Sequence, residues 1–409
     1  MRQWCTGLLL VWIFFAGCGK HATLYHATTG TETLLSYDST TPDADLLTPV
    51  DWRHYIKAEK FDYKKEGYWL SPLIEAPFAF DELIYCWKVH IRKGEGFRLY
   101  IQLSFEKDDT SPWLYAGFWG TVNLTEDRKK QIIFDRGKLV WDQIFLKSKA
   151  RMFRFKVVSE GETPLNDPPS LLVIVTDNHP SRELVTQFVA PPPVMIPSAR
   201  ILDIPLRKQE DSSGKDIRGK CQSAALASAM QYFGKTINLE QIIPFTYDPE
   251  YKTSGVWPRV IQAAIEFGFD AYIDRFRNWI AVRKALAENK VILCSITMPA
   301  DEIYYAPPYP EMEGHIVALN GITEDGRVVV TDSTRRLTRA GKGFRCQWYI
   351  QDFEKIWMQI KGGVGMVICP PKGAAQKLVL NLPPFPQQQR YTDVKQTPAN
   401  TTTRQSLGY

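Results

Sequence analysis

Ser212-Ser213-Gly214-Lys215, then Gly219-Lys220-Cys221-Gln222-Ser223-Ala224-Ala225-Leu226-Ala227-Ser228-Ala229-Met230, is a Gly-rich polar loop that runs into an Ala-rich segment. Within the latter, Leu226, Met230 and Phe233 recur at helical spacing and the pattern stops at Gly234, a good residue for the position just past a helix end. Cys221 therefore stands where a helix begins. Unpaired backbone N–H groups and the positive end of the helix dipole favour thiolate over thiol there, and a neighbouring imidazolium would add to the effect.

Further helices are expected near residues 259–267 and 280–289. Strands are expected at residues 291–297, 315–320, 327–331, 347–350 and 364–368. Helices first and then strands is an α+β order. The segment 200–371 holds four cysteines and a single histidine, His315. A Cys/His enzyme made from it has no other imidazole base. Cys294 lies within an apolar strand, where a thiol behaves as a small hydrophobe; Cys369 ends another, and Cys346 falls at a turn or strand start. Glu324-Asp325-Gly326 reads as a hairpin turn, and folding about residues 323–324 sets Asp332 opposite His315. Asp332 would then accept the second imidazole N–H and fix the tautomer. Gln209, twelve residues before Cys221, could donate to a developing oxyanion beside the Cys221 N–H, and one such donor is typically worth ~10²–10³ in rate.

The whole chain has 409 residues with 50 Lys+Arg against 45 Asp+Glu and 44% hydrophobic residues. That composition excludes wholesale disorder, and the modest net charge with no dense basic run makes nucleic acid a poor partner. The N-terminus reads as a secretory signal: Arg2, an apolar run over residues 8–16, then small residues before Cys18. Phe15-Ala16-Gly17-Cys18 resembles the bacterial lipobox, with Phe15 in place of the usual Leu. It implies cleavage before Cys18, lipidation of its sulfur and anchoring of an exported protein in the cell envelope, periplasmic or at the cell surface. No later stretch approaches the ~18 apolar residues of a membrane span. Of seven cysteines, five remain in the mature body (Cys86, Cys221, Cys294, Cys346, Cys369), an odd number that leaves at least one thiol unpaired, and none has zinc-type spacing.

These patterns divide the chain into a signal over residues 1–18, a tether over 19–50, an antiparallel β-sandwich-like domain over 51–185, a Pro-rich linker over 186–199, the α+β domain over 200–371 and a disordered tail over 372–409. Short alternating runs such as Phe97-Arg98-Leu99-Tyr100-Ile101-Gln102-Leu103 carry the β reading. In that front domain Trp69, Trp87, Trp113, Trp119 and Trp141 are either core, as burial statistics favour, or a stacking platform for a cell-wall glycan. His54, His90 and His179 show no metal spacing.

The segment from Cys221 to Met230, Gly314-His315-Ile316-Val317-Ala318-Leu319-Asn320-Gly321 and Val328-Val329-Val330-Thr331-Asp332 resemble the three motifs of papain-like cysteine peptidases of family thirty-nine, the group related to bacteriocin-leader peptidases. The likeness extends over about residues 200–371 and includes Gly255-Val256-Trp257-Pro258 and Phe353-Glu354-Lys355-Ile356-Trp357. Upstream, Trp69-Leu70-Ser71-Pro72 and Glu82-Leu83-Ile84-Tyr85-Cys86-Trp87 resemble the β-rich companion domain of some exported members. The resemblance implies a papain-like fold with Cys221 as nucleophile, His315 as base, Asp332 as orienter and Gln209 as oxyanion donor, acting on peptide or protein without metal or organic cofactor. Gln222 departs from the family's usual Gly or Ser and is expected to narrow the cleft or alter the oxyanion loop. The competing reading is a surface protein whose β domain binds glycan or protein while the peptidase-like domain is inert.

Overall fold

The computed structural model describes residues 48–106, 108–120, 131–189, 195, 197, 199–299, 312–334, 345–379 and 382. The signal, Cys18 and most of the tether lie outside the described residues. Everything described belongs to one unit, 47–409.

The front half is built from eleven strands: β1 (Val50–Ile56), β2 (Asp62–Lys64), β3 (Tyr68–Leu70), β4 (Ile74–Lys88), β5 (Glu95–Glu106), β6 (Asp109–Thr110), β7 (Leu114–Gly120), β8 (Gln131–Phe134), β9 (Gly137–Val140), β10 (Gln143–Gly161) and β11 (Ser170–Asp177). Hydrogen bonds join all eleven in one branched antiparallel network. The path runs β1-β11-β4-β10-β3-β2, with β5 to β7 and β8-β9 branching from β10. The long β10 makes this possible: it pairs with β9 and β4 along its first part and with β5 and β3 along its second. Along the second part Phe153, Phe155 and Val157 point inward, and Arg154 and Lys156 alternate with them on the outer face.

Alternation fails over Glu82 to Trp87, where six consecutive side chains are buried. Leu83, Tyr85 and Trp87 join the core of the front half, whereas Ile84 and Cys86, with Ile174 of β11, join the core of the second half. A strand covered on both faces has no polar side to show. The same burial settles the tryptophans: Trp69, Trp87 and Trp119 are core, and Trp113 and Trp141 are half-buried, so no platform of five forms.

Helix α1 (Arg182–Phe188), capped by Ser181 at the Leu184 N–H, extends into the expected linker. The second half then runs α2 (Cys221–Tyr232), α3 (Leu239–Thr246), β12 (Tyr247–Asp248), β13 (Thr253–Ser254), α4 (Trp257–Glu266), β14 (Ala271–Arg275), α5 (Trp279–Ala287), β15 (Val291–Met298), β16 (Met312–Ile322), β17 (Arg327–Thr331), β18 (Arg345–Tyr349), α6 (Ile350–Glu354), a π turn (Lys355–Gln359) and β19 (Val364–Ile368). Its antiparallel sheet has the order β14-β19-β15-β16-β17-β18. Helices do not all precede strands: α5 follows β14 and α6 follows β18. The architecture is mixed α and β with large antiparallel sheets. Ten of the twelve residues of α2 are buried, and the helix packs on β16. An all-round buried helix shows no amphipathic stripe, and small Ala side chains let it lie close to the sheet.

The halves share a polar seam. Asp142 accepts the Trp257 N–H (2.6 Å), capping α4 from 115 residues away. Gln262 bonds both the N–H and the carbonyl of Val89 (3.1 and 2.6 Å), standing in for a strand partner. Arg277 holds Asp51 through two bonds (2.7 and 2.8 Å), and buried Arg275 pairs with Glu82. At the far end, residues expected in the tail are tied down: Asp203 N–H donates to the Lys377 carbonyl and Val379 N–H to that of Ile201 (both 2.8 Å). The tail expected from residue 372 is corrected to that extent.

Candidate active site

Cys221 is the first residue of α2, one place inside the helix, after Lys220 at the cap position. It is half-buried, and its sulfur lies against the Ile316 N–H, one residue beyond His315 on β16. His315 Nε2 is 3.0 Å from Asp332 Oδ1. The fold thus brings together the nucleophile, base and orienter candidates from α2, β16 and the end of β17.

The way Asp332 reaches His315 differs from the expected register. The strands pair Ala318 with Thr331 and Leu319 with Val330, then shift, pairing Gly321 with Val329. Asn320 is the extra residue of this bulge, buried, with its amide on the Leu202 carbonyl (2.7 Å) and its own side-chain oxygen accepting from the Thr331 hydroxyl (2.9 Å). Gly321 is required because a Cβ there would collide with the Arg200 carbonyl of the crossing segment. Continuing the Ala318–Thr331 register sets Val317 beside Asp332 and His315 beside Thr334. Because side chains repeat every two residues, Asp332 keeps the correct face and meets the ring diagonally.

Gln209 also reaches the site. Its twelve-residue separation from Cys221 is absorbed by a small hairpin in which Glu210 pairs with Asp216, Asp211 N–H donates to the Lys215 carbonyl (2.8 Å) and Ile217 N–H to that of Gln209 (2.7 Å). Its side-chain oxygen accepts the Lys220 N–H (2.8 Å), and its amide nitrogen lies on the carbonyl and hydroxyl of Ser333 (3.3 and 3.2 Å). Gln222, by contrast, turns inward: it is 1% exposed, accepts from the Cys221 thiol (3.7 Å) and donates to the Ser223 hydroxyl (3.4 Å). It does not narrow a cleft.

Two residues that sequence reasoning missed complete the arrangement, Ser333 and Thr334. Thr334 donates to Asp332 Oδ1 through both its N–H (2.7 Å) and its hydroxyl (2.6 Å), and its hydroxyl oxygen lies 3.1 Å from His315 Nε2. Only the register shift exposes that proximity, and a bulge carries no local composition signal.

Burial dominates the electrostatics. It pushes the Cys221 thiol up to about 11, with the Ile316 N–H pulling back and the Asp332 charge adding to the rise. It lowers His315 to about 4 and raises Asp332 to about 6, the latter held back by the hydroxyl and N–H of Thr334. The helix start favours thiolate, whereas burial acts the other way on both groups, raising the thiol and lowering the imidazole. Buried Cys86, Cys294 and Cys346 are raised by the same cause. All five described cysteines are free. Two cavities of about 280 and 420 Å³ contain none of Cys221, His315, Asp332 and Gln209.

Residues 201–364 match the Peptidase_C39 like family. Among solved structures, the chain is similar to a Bacillus anthracis protein described as a C39-like peptidase, at 15% identity over 42% of this chain and 98% of that one, with a TM-score of 0.33. It is also similar to the peptidase domain of Streptococcus ComA, a bifunctional ABC transporter of a quorum-sensing pathway, at 12% identity over 41% of this chain and 99% of that one, with a TM-score of 0.28. No curated protein matches the chain. The family match supports a peptidase of the cysteine hydrolase type in broad terms.

Proposed function

Taking the match of residues 201–364 to C39-like peptidases as premise, we propose that the chain is an exported, lipid-anchored cysteine peptidase working through Cys221, His315 and Asp332. The observation that carries this reading is the 3.0 Å contact of His315 Nε2 with Asp332 while the Cys221 sulfur rests against the next backbone N–H of the same strand. With Nε2–H donated to the carboxylate, Nδ1 is the ring nitrogen that can take a proton from sulfur.

In the reaction, Cys221 Sγ attacks the amide carbonyl carbon as its proton passes to His315 Nδ1, so charge develops only during attack. The oxyanion would meet the Cys221 N–H at the helix start and a proton of the Gln209 amide, which carries two. Collapse expels the amine, protonated by the imidazolium, and leaves a thioester on Cys221. Water, deprotonated by the same imidazole, then releases the acid and restores the thiol. Export and anchoring rest on the sequence around Cys18 alone; a cell-expressed wild type whose mass spectrum keeps residues 1–17 and shows no acyl group on Cys18 would remove them from the reading.

Hydrolysis of a panel of internally quenched peptides tests the chemistry. Cys221→Ala and His315→Ala are each expected to abolish turnover while near-ultraviolet circular dichroism stays native, and mass spectrometry of wild type should trap an acyl adduct on the Cys221 peptide. Turnover that survives Cys221→Ala refutes the assignment. The reading of an inert binding module gains no specific observation: most of the tryptophans it would use are inside the core.

A further inference from the structure

Three donors converge on one oxygen of Asp332: His315 Nε2 at 3.0 Å, the Thr334 N–H at 2.7 Å and the Thr334 hydroxyl at 2.6 Å. The same hydroxyl oxygen is 3.1 Å from Nε2. We propose that Thr334 is a positioning residue of this site: its hydroxyl gives its proton to the Asp332 carboxylate and turns a lone pair to Nε2, which locks His315 in the Nε2–H tautomer. The inference rests on the proposed function and deepens it, since an imidazole held this way presents Nδ1 as the base.

A neutral imidazole has two tautomers, and its neighbours choose between them. Once the single Thr334 proton is committed to Oδ1, both oxygens facing Nε2 are acceptors, and only Nε2–H satisfies them. The turn enforces the commitment. Asp332 Oδ1 accepts the N–H two residues on, an Asx-type turn, which brings the side chain of residue 334 back over the carboxylate. The extended strand register places the same residue beside His315. A β-branched side chain has few χ1 choices, so the hydroxyl is held rather than selected from many rotamers.

The hydroxyl also matters to charge. Asp332 is fully buried, and a buried carboxylate stays ionised only when it is well hydrogen-bonded. Around it stand His315 from β16, the Cys221 thiol from α2 and the Cys346 thiol from β18, and the Asp332 charge raises both thiols. The hydroxyl and N–H of Thr334 both favour the anionic carboxylate, the form that orients the ring.

Three proteins test this: wild type, Thr334→Val and Thr334→Ser. Nitrogen NMR of labelled imidazoles reads the tautomer of His315 without any substrate. Wild type and Thr334→Ser should show Nε2–H at pH 7, and Thr334→Val a mixture with Nδ1–H. Where peptide turnover is measurable, the ascending limb of kcat/KM against pH, set by Asp332 near 6, should move up in Thr334→Val and lower activity about tenfold at pH 6.5, with Thr334→Ser within about twofold of wild type. A wild-type tautomer and pH profile in Thr334→Val overturns the proposal, as does a Thr334→Ser protein as impaired as Thr334→Val, which would assign the effect to the methyl group. Absence of turnover in wild type with the tautomer shift intact would refute the peptidase reading and leave the role of Thr334 standing.

Discussion

Cys221 sits at a helix start, which favours thiolate, and in a desolvated place, which favours thiol. Dipole effects at helix ends are worth ~0.3–1 kcal/mol in ordinary settings, whereas full burial can move a titrating group by several units. Burial raises the thiol to about 11, and its reactivity is expected to follow. Alkylation of Cys221 by iodoacetamide is expected to accelerate about tenfold per pH unit between pH 7 and 10. A rate already flat by pH 6 would reveal a preformed thiolate–imidazolium pair instead. The linked stability terms have opposite signs. His315, lowered from 6.5 to about 4, contributes stability that is full above 6.5 and lost as pH falls through 4. Asp332, raised from 3.8 to about 6, is best accommodated below 3.8 and costs stability as pH rises through 6. Each is of order ~3 kcal/mol, so between about pH 4 and 6 they nearly cancel. Equilibrium denaturation of Cys221→Ala across that window should show little slope from this pair; a steep rise with pH would mean that His315 alone titrates.

At the scale of elements, what was legible followed from local pattern. Strands at residues 327–331 and 364–368 fall where alternation and apolar runs set them, and α2 begins at the Cys221 boundary read from a polar loop meeting an Ala-rich run. The missed elements lacked such signals. Helix α3 carries Pro244 in its interior, which reads as a breaker, although Asn238 and Gln241 form a capping box at its start. The turn lies three register steps from the expected one and the Asn320 bulge takes back one, a net shift of two that changes the partner of His315 but keeps Asp332 on its face, so the His315–Asp332 contact could be read from sequence and Thr334 could not. A smaller motif recurs in the front half. Ser71 and Ser111 each precede a proline, each donates its N–H to a strand carbonyl (Phe155 and Leu103, 2.9 Å), and each accepts the N–H of the same residue on its hydroxyl (2.9 and 3.0 Å). The serine thereby closes the ladder just before a residue that has no N–H to offer. Ser111→Ala leaves the buried Leu103 N–H without its acceptor and is expected to cost about 1–3 kcal/mol in urea denaturation. A loss under about 0.5 kcal/mol would mean that the ladder does not depend on that hydroxyl.

For the molecule as a whole, the decisive feature is that the outer face of the front sheet along β4 and β11 is interior to the second half. Ile84, Cys86 and Ile174 belong to the same core as α4 and β14, and the N-terminus of α4 takes its carboxylate cap from Asp142 because Val256, at the cap position, has no side-chain acceptor. Removing the front half would expose the apolar surface of α4 and β14, strip Gln262 of its main-chain partner and leave Arg275 buried without Glu82. Residues 199–379 produced alone are therefore expected to be aggregated or to bind a hydrophobic dye, with no cooperative unfolding transition. A soluble fragment that melts cooperatively would show the seam to be dispensable. The ion pair at its centre gives a finer test. Breaking one side of a buried pair strands a charge, at about 3–5 kcal/mol, whereas replacing both partners by apolar groups can be near neutral. Glu82→Gln should thus be more damaging than its small change in shape suggests, because Arg275 keeps its charge, and Glu82→Leu combined with Arg275→Met should recover part of the loss. The recovery will be incomplete, since Gln143 and Asn178 also bond the Glu82 carboxylate and would lose their acceptor. A double variant as unstable as the sum of its single changes would mean that the seam is held by packing and that this charge pair contributes independently at each end.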